Sequence, residues 1–273
     1  MKRVIVTADD FGRSSQINRA VIRAHRQGIL TCASLMVSGR AAAEAVQLAK
    51  ANPSLKVGLH LVLVDGYAVL SRKKIPDLVN SRGRFAEQPA AAGVRYFFSS
   101  RARKQVRQEC RAQIEAFLGS GLKMDHLNSH HHLHIHPTIA GILVDLAKPY
   151  GIPAIRLPFQ GLRTVTKQSA GMAAVMLPWV FYLKLRLTAA GIAHNREILG
   201  LYETGAMSEA SWLRLIPQLK PGVTEIFCHP AADAAATDND TYGQSEEEYK
   251  ALLSPKVKER LRREKAVLTG FSR

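Results

Sequence analysis

The segment Ser129-His130-His131-His132-Leu133-His134-Ile135-His136 places five histidines within seven consecutive positions. Neutral imidazole is the commonest metal ligand among side chains, and its charge changes near neutral pH. The alternation of the run predicts an extended backbone, with His130, His132, His134 and His136 on one face and His131 on the other. A second polar cluster, Thr7-Ala8-Asp9-Asp10-Phe11-Gly12, follows the apolar run Val4-Ile5-Val6. Adjacent carboxylates at the end of a buried strand repel each other. A divalent cation relieves the conflict by taking one as ligand and leaving the other as a base. The third element is His60, inside Val57-Gly58-Leu59-His60-Leu61-Val62-Leu63. Asp10, His60 and a member of the histidine run form a mixed oxygen and nitrogen donor set. Such a set, with positions left open for water, suits a catalytic metal.

Each motif taken alone has a plainer explanation. A histidine tract can be a surface feature with adventitious metal affinity. An aspartate before a helix can be its cap, although Ser14 and Ser15 are better placed for that here. His60 alone reads as a satisfied core histidine. The set is specific only as a set.

The elements that must position these residues alternate along the chain. Strand-like runs fall at 3–7, 33–37, 56–61, 124–128, 154–157, 198–202, 225–228 and 266–268. Helical patterns fall at 16–27, 41–51, 104–118, 137–148, 171–190 and 209–216. This alternation predicts a parallel sheet, closed into a barrel or doubly wound, and no GxGxxG fingerprint supports a dinucleotide fold. Asp9 and Asp10 follow the first strand, His60 ends the third and His130 follows the fourth. Arg156 ends the fifth, and His229 follows the strand before Pro230. Active sites of α/β barrels lie at the C-terminal strand ends, so barrel and site support each other. With 273 residues, 47% of them hydrophobic, and no linker-like stretch, the chain is expected to form a single irregular TIM-like α/β barrel over 1–273.

Two segments break the rhythm. Residues 64–100 are polar, punctuated by Gly and Pro, and follow a candidate ligand strand, so they read as an active-site lid. Residues 168–183 carry no charge and include Trp179, Phe181 and Tyr182; the stretch is short for a transmembrane span and Pro178 interrupts it. It is either a buried helix or an interfacial one, with Lys184 and Arg186 reaching lipid headgroups.

The formal charge is +16, which favours anionic partners such as nucleic acid, an acidic membrane surface or an anionic substrate. The basic clusters at 95–111 and 256–265 look like exposed helix faces, and no zinc-finger, RRM or KH pattern accompanies them. Cys32, Cys110 and Cys228 show no CxxC spacing, which points to reduced thiols and a cytoplasmic setting. The N-terminus enters a strand at once, so no signal peptide is expected.

The motifs TADDFG (7–12), GLHL (58–61), SHHHLH (129–134) and CHP (228–230) resemble, in order and over nearly the whole chain, the YdjC-like carbohydrate deacetylases, also called the ChbG family. The resemblance implies an irregular TIM-like barrel and a divalent metal used to hydrolyse acetamido groups on sugars. By that resemblance Asp10, His60 and His130 are the metal ligands and Asp9 the general base. Asn128 departs from the Asp found in chito-oligosaccharide members. The stretches 124–128, 177–179 and 200–205 resemble the branch associated with hopanoid biosynthesis. The implied substrate is then an N-acetylglucosaminyl hopanoid, met at an anionic membrane on the cytoplasmic side.

In the chemistry so implied, the metal polarises the acetyl carbonyl and acidifies a water. Asp9 takes the water proton, and Arg156 pairs with Asp9 to keep it ionised. His229 is the candidate general acid for the departing amine. Against that role, it could simply fix a strand end. Bonding preference suits Zn²⁺ to this donor set, whereas the family resemblance implies Mg²⁺. The competing functions are a deacetylase of soluble chito-oligosaccharides, a non-catalytic metal-binding barrel and a basic metal-containing nucleic-acid-binding protein.

Overall fold

The computed structural model describes residues 1–161, 170–232 and 245–272. Val4, Ile5 and Val6 are inaccessible, as expected for a strand covered on both faces. They belong to β1 (Lys2–Phe11), which leads into α1 (Ser15–Gln27), β2 (Cys32–Leu35), α2 (Ala42–Lys50) and β3 (Lys56–Leu61). Next come α3 (Pro89–Phe98), α4 (Ser100–Gly119), β4 (Met124–Ser129), α5 (Pro137–Ala147) and α6 (Ala170–Ala189). The chain continues through β5 (Glu197–Leu199), α7 (Glu209–Leu215), β6 (Gly222–Cys228), α8 (Ser245–Leu253), α9 (Pro255–Arg263) and β7 (Ala266–Thr269).

The strands run in the order β4-β3-β2-β1-β6-β5, with β7 also on β1, and their pairings are all parallel. β1 is central: Lys2–Ile5 pair with β7, Thr7 and Ala8 with β2, and Lys2–Ala8 with β6 on the other side. Between β4 and β5 an extended segment completes the ring. Leu127 N donates to Ala154 O, Arg156 N to Leu127 O, Ile155 N to Ala193 O and Ile198 N to Phe159 O. The result is the expected irregular TIM-like barrel in one α/β domain, curled rather than evenly closed.

Three sequence expectations are corrected here. Residues 154–157 make only isolated bridges, because Pro153 and Pro158 flank them and remove ladder donors. The strand expected at 198–202 ends at Leu199, and Leu201–Glu203 form a 3₁₀ turn. The histidine run is not extended: His130–Ile135 form a 3₁₀ turn in which His131 (φ 53°) and His132 (φ 52°) occupy the left-handed region.

Residues 64–100 include α3 and fold back on α4. There Glu109 accepts the backbone N–H groups of Val69 and Leu70, and Gln105 bonds Asp77. Of the apolar stretch, 168–169 lie outside the described residues and the rest enters α6. That helix buries Val180, Leu183 and Leu187 but leaves Val175, Trp179, Phe181 and Leu185 exposed. Among the described residues no helix is long and apolar enough to cross a membrane. The three cysteines are buried and unlinked.

Candidate metal centre and active site

The two carboxylates are aimed by a sharp departure from β1. Asp10 has φ 62°, a conformation costly for a residue with a Cβ and characteristic of functional sites. Gly12 follows at φ 92°, where an added Cβ would lie 2.9 Å from Leu35 Cδ1. Asn18, buried in α1, pins this turn: its Oδ1 accepts the Gly12 N–H (2.8 Å) and its Nδ2 donates to Ala41 O. Ser14 caps α1, its side chain accepting the Ile17 N–H, so neither aspartate is spent on capping.

Asp10, His60 and His130 converge. Asp10 Oδ1 lies 3.2 Å from His60 Nε2 and 3.3 Å from His130 Nδ1, and these three buried atoms have no hydrogen-bond partner among the described residues. Asp10 Oδ2 is held separately by Arg13 Nη1 at 2.9 Å.

Asn128 determines which way His60 faces. Asp9 can only accept, so the Asn128 atom 2.9 Å from it is the amide nitrogen, and the other amide atom is therefore an acceptor. His60 Nδ1–H donates to that Asn128 Oδ1 at 2.6 Å. The tautomer fixed in this way turns Nε2, and with it the ligating lone pair, to Asp10. A carboxylate oxygen and an imidazole lone pair at 3.2 Å repel unless a cation lies between them. The donor set fits a divalent ion. Asp65 adds to this: its Oδ2 is 3.6 Å from His130 Nε2 and 3.8 Å from His131 Nε2. Burial opposes charge on His130, but Asp10 and then Asp65 outweigh it and lift the imidazole to about 9.

Asp9 sits one layer deeper. Arg156, wholly buried, donates through Nη2 to Asp9 Oδ1 (3.0 Å) and through Nη1 to Asp9 Oδ2. Its Nε and Nη2 also bond Glu225, whose Oε1 accepts the Thr7 hydroxyl at 2.8 Å. Burial pushes the Asp9 carboxyl up, but the Arg156 guanidinium outweighs it and holds Asp9 well below the usual carboxylate range.

The remaining histidines divide. His229 lies one residue beyond the Ala8–Cys228 register pair. Burial brings it down to about 4 despite the nearby Asp10 and Asp9 carboxylates. His132 packs against Phe227 with ring centroids 5.1 Å apart. His136 lies outside the cluster, against Phe97 of α3. His134 is buried, with Nδ1 2.7 Å from Ser129 Oγ and Nε2 donating to the Arg156 carbonyl at 3.1 Å. Burial, aided by the Arg156 charge, lowers His134 to about 3.

That last shift sets an acid-lability window. The unfolded chain takes up this proton near 6.5 and the folded chain only near 3, so stability falls as pH drops from about 6.5 towards 3. One such group contributes about 1.4 kcal/mol per pH unit within the window. Urea unfolding of His134→Gln between pH 7 and 5 should show a slope shallower than wild type, the difference approaching one proton towards pH 5. Equal slopes would remove His134 as a source.

Sequence patterns brought Asp9, Asp10, His60, His130 and Arg156 together, with His229 alongside. They missed Ser34, Asp65 and Glu225. A lone charged residue entering the apolar run 225–228 was the only available signal for Glu225.

A sequence profile of the family described as YdjC-like protein matches residues 3–263. The chain is 32% identical to a carbohydrate deacetylase of Brevibacillus brevis, over 99% of this chain and 98% of the relative. It is 33% identical to a carbohydrate deacetylase of Geobacillus stearothermophilus, over 92% and 88% respectively. A crystal structure from Enterococcus faecalis V583, of a protein named for cellobiose-phosphate cleavage, superposes with a TM-score of 0.76 at 26% identity. That match covers 99% of this chain and 97% of the other. The parallel barrel and the carboxylate–imidazole cluster at its strand ends thus accompany a family match over nearly the full length. The chain belongs to the YdjC-like family.

Proposed function

We propose that the protein is a metal-dependent hydrolase that removes the acetyl group from an N-acetylglucosamine unit. The observation that carries this is the meeting of three buried donor atoms, from Asp10, His60 and His130, that have no hydrogen-bond partner among the described residues, next to the Arg156-bound carboxylate of Asp9. The relatives' shared description as carbohydrate deacetylases supplies the reaction class.

A divalent ion bound there would polarise the acetyl carbonyl and acidify a water. Asp9 takes the proton from that water, using the lone pair that Arg156 and Asn128 leave unoccupied. Arg156 keeps Asp9 ionised and fixes the plane of its carboxylate. His229, at the strand end beyond Cys228, is proposed as the general acid that hands the departing amine a proton, balanced by the one Asp9 takes from the water. His60→Ala or His130→Ala should weaken divalent-metal affinity at least about a hundredfold by calorimetric titration; unchanged affinity in both variants would refute the ligand set.

The acceptor is proposed to be lipid-borne, as in an N-acetylglucosaminyl hopanoid, presented at an anionic membrane face. Support comes from two helices that both pack against the 130–135 turn. α6 exposes Val175, Trp179, Phe181 and Leu185, and α3 exposes Val94, Phe97 and Phe98. Aromatic and aliphatic groups beside basic residues suit the interfacial layer of a bilayer. The test is acetate release from an N-acetylglucosaminyl hopanoid and from diacetylchitobiose in parallel, with EDTA as control. EDTA-sensitive release from the lipid supports the full reading. Release from the soluble sugar alone overturns the lipid acceptor, and metal-independent release overturns the metal chemistry.

A further inference from the structure

A line of buried polar side chains leads away from the site to the opposite ends of the strands, where β3 and β4 begin. Asn128 Nδ2 donates to Asp9 Oδ1 and to Ser34 Oγ, both at 2.9 Å. Ser34 Oγ lies 3.0 Å from His126 Nε2, and His126 Nδ1 lies 3.1 Å from Asp125 Oδ2. Asp125 in turn accepts the backbone N–H of Phe271 (3.1 Å) and of Ser272 (2.9 Å), together with the Ser272 hydroxyl. Phe271 stacks on the His126 ring, centroids 4.5 Å apart. Ser34, Asp125, His126 and Asn128 are all buried.

The direction of every bond in this line is fixed by its ends. Asp125 can only accept, so His126 carries a proton on Nδ1, and its Nε2 is the acceptor that faces the Ser34 hydroxyl. Ser34 therefore gives its hydroxyl proton to His126 and keeps its oxygen free to accept from Asn128. Both amide protons of Asn128 are thereby committed, one to Ser34 and one to Asp9, and its carbonyl is turned to His60 Nδ1. Gly58 permits the arrangement: an added Cβ would lie 2.5 Å from His126 O and 2.6 Å from two ring atoms. Cys32 Sγ, 3.7 Å from Asp125 Oδ2, adds a weak contact. Its thiol is pushed well up by burial and by Asp125, so it stays protonated and bears no charge.

We infer that Asp125, His126 and Ser34 are positioning residues, and that the C-terminal Phe271-Ser272 segment belongs to the same device. It sets the orientation of Asn128, and through it the His60 tautomer and the Asp9 carboxylate. Partners of this kind behind metal ligands typically contribute about ten- to a hundredfold to metal affinity or activity. The functional consequence rests on the deacetylase reading; the hydrogen-bond order does not.

The test separates the two. In metal-free protein, two-dimensional nitrogen–proton NMR of ¹⁵N-histidine-labelled wild type should report protonated Nδ1 for both His60 and His126. Ser34→Ala, Asp125→Asn and the mild Ser272→Ala should each move the His60 ring signals while melting cooperatively. Divalent-metal affinity should fall about tenfold in Ser34→Ala, and the double variant Ser34→Ala/Asp125→Asn should lose no more than the larger single loss. Unmoved His60 signals in folded variants would overturn the inference, even if turnover dropped, since that loss would then reflect general loosening. If wild type releases no acetate from any sugar, the deacetylase reading fails, and the ring signals still decide the relay.

Discussion

Replacing Asp9 with Asn should cut acetate release about a thousandfold while leaving divalent-metal affinity near that of wild type. The amide keeps the shape of the carboxylate but has no basic lone pair, and positioned general bases contribute about 10²–10⁴-fold. The effect belongs towards the upper part of that range because the neighbouring carboxylates of Asp10 and Glu225 are already engaged. Asp10 Oδ2 is engaged by Arg13, and Glu225 lies behind Arg156. Arg156 makes Asp9 certain to be ionised and, by the same charge, a weak base. On the proposed mechanism a water would have to be acidified before Asp9 takes its proton, so turnover should track metal loading. Calorimetry and a discontinuous acetate assay on the same preparation check the outcome. A variant with normal turnover would exclude Asp9 as the base, and one that loses metal would place Asp9 among the ligands.

Arg156→Met should be the most destabilising single change in the site. Wild type buries one guanidinium between two carboxylates; methionine leaves Asp9 and Glu225 facing each other with no cation. Breaking a buried ion pair by removing one partner costs about 3–5 kcal/mol, which in a chain of this size lowers the melting temperature by roughly 10 °C. The guanidinium also lies over the Phe227 ring, 4.8 Å from its centroid, and methionine keeps only the dispersion part of that contact. Glu225→Gln provides the control. It leaves the Arg156–Asp9 pair intact and neutral overall, so it should cost much less. Equal melting temperatures for wild type and Arg156→Met would show that the two carboxylates already share a proton, contrary to the ionised Asp9 on which the mechanism depends.

The convergence of three candidate donors was legible because each sits in a local pattern: Asp10 after Val4-Ile5-Val6, His60 inside an apolar strand, His130 at the head of the histidine run. The barrel was legible in the alternation of strand and helix patterns. What could not be read was partnership across strands. Ser34, Asn128 and Glu225 are ordinary polar residues until register places His60 beside Asn128 and Ser34 beside Gly58. Local chemistry in one sequence does not encode that register. The backbone of the histidine run was misjudged for a related reason. Alternation of side chains argues for a strand only where a ladder partner exists, and beyond Ser129 the chain leaves β4 and turns. Asp65 lies in a polar stretch whose composition gives no hint that it reaches back to His130.

β1 carries both aspartates just beyond Ala8, and from Lys2 to Ala8 it is held by β6 on one edge and by β7 and then β2 on the other. Its amide protons should therefore exchange with solvent only when the whole molecule opens, and be among the slowest of the chain. The carboxylates are thus carried directly on the end of this slow-exchanging ladder. Variation that alters which sugar is accepted must then accumulate in the segments that exchange fast, around the rim, while the chemistry is inherited with the fold itself.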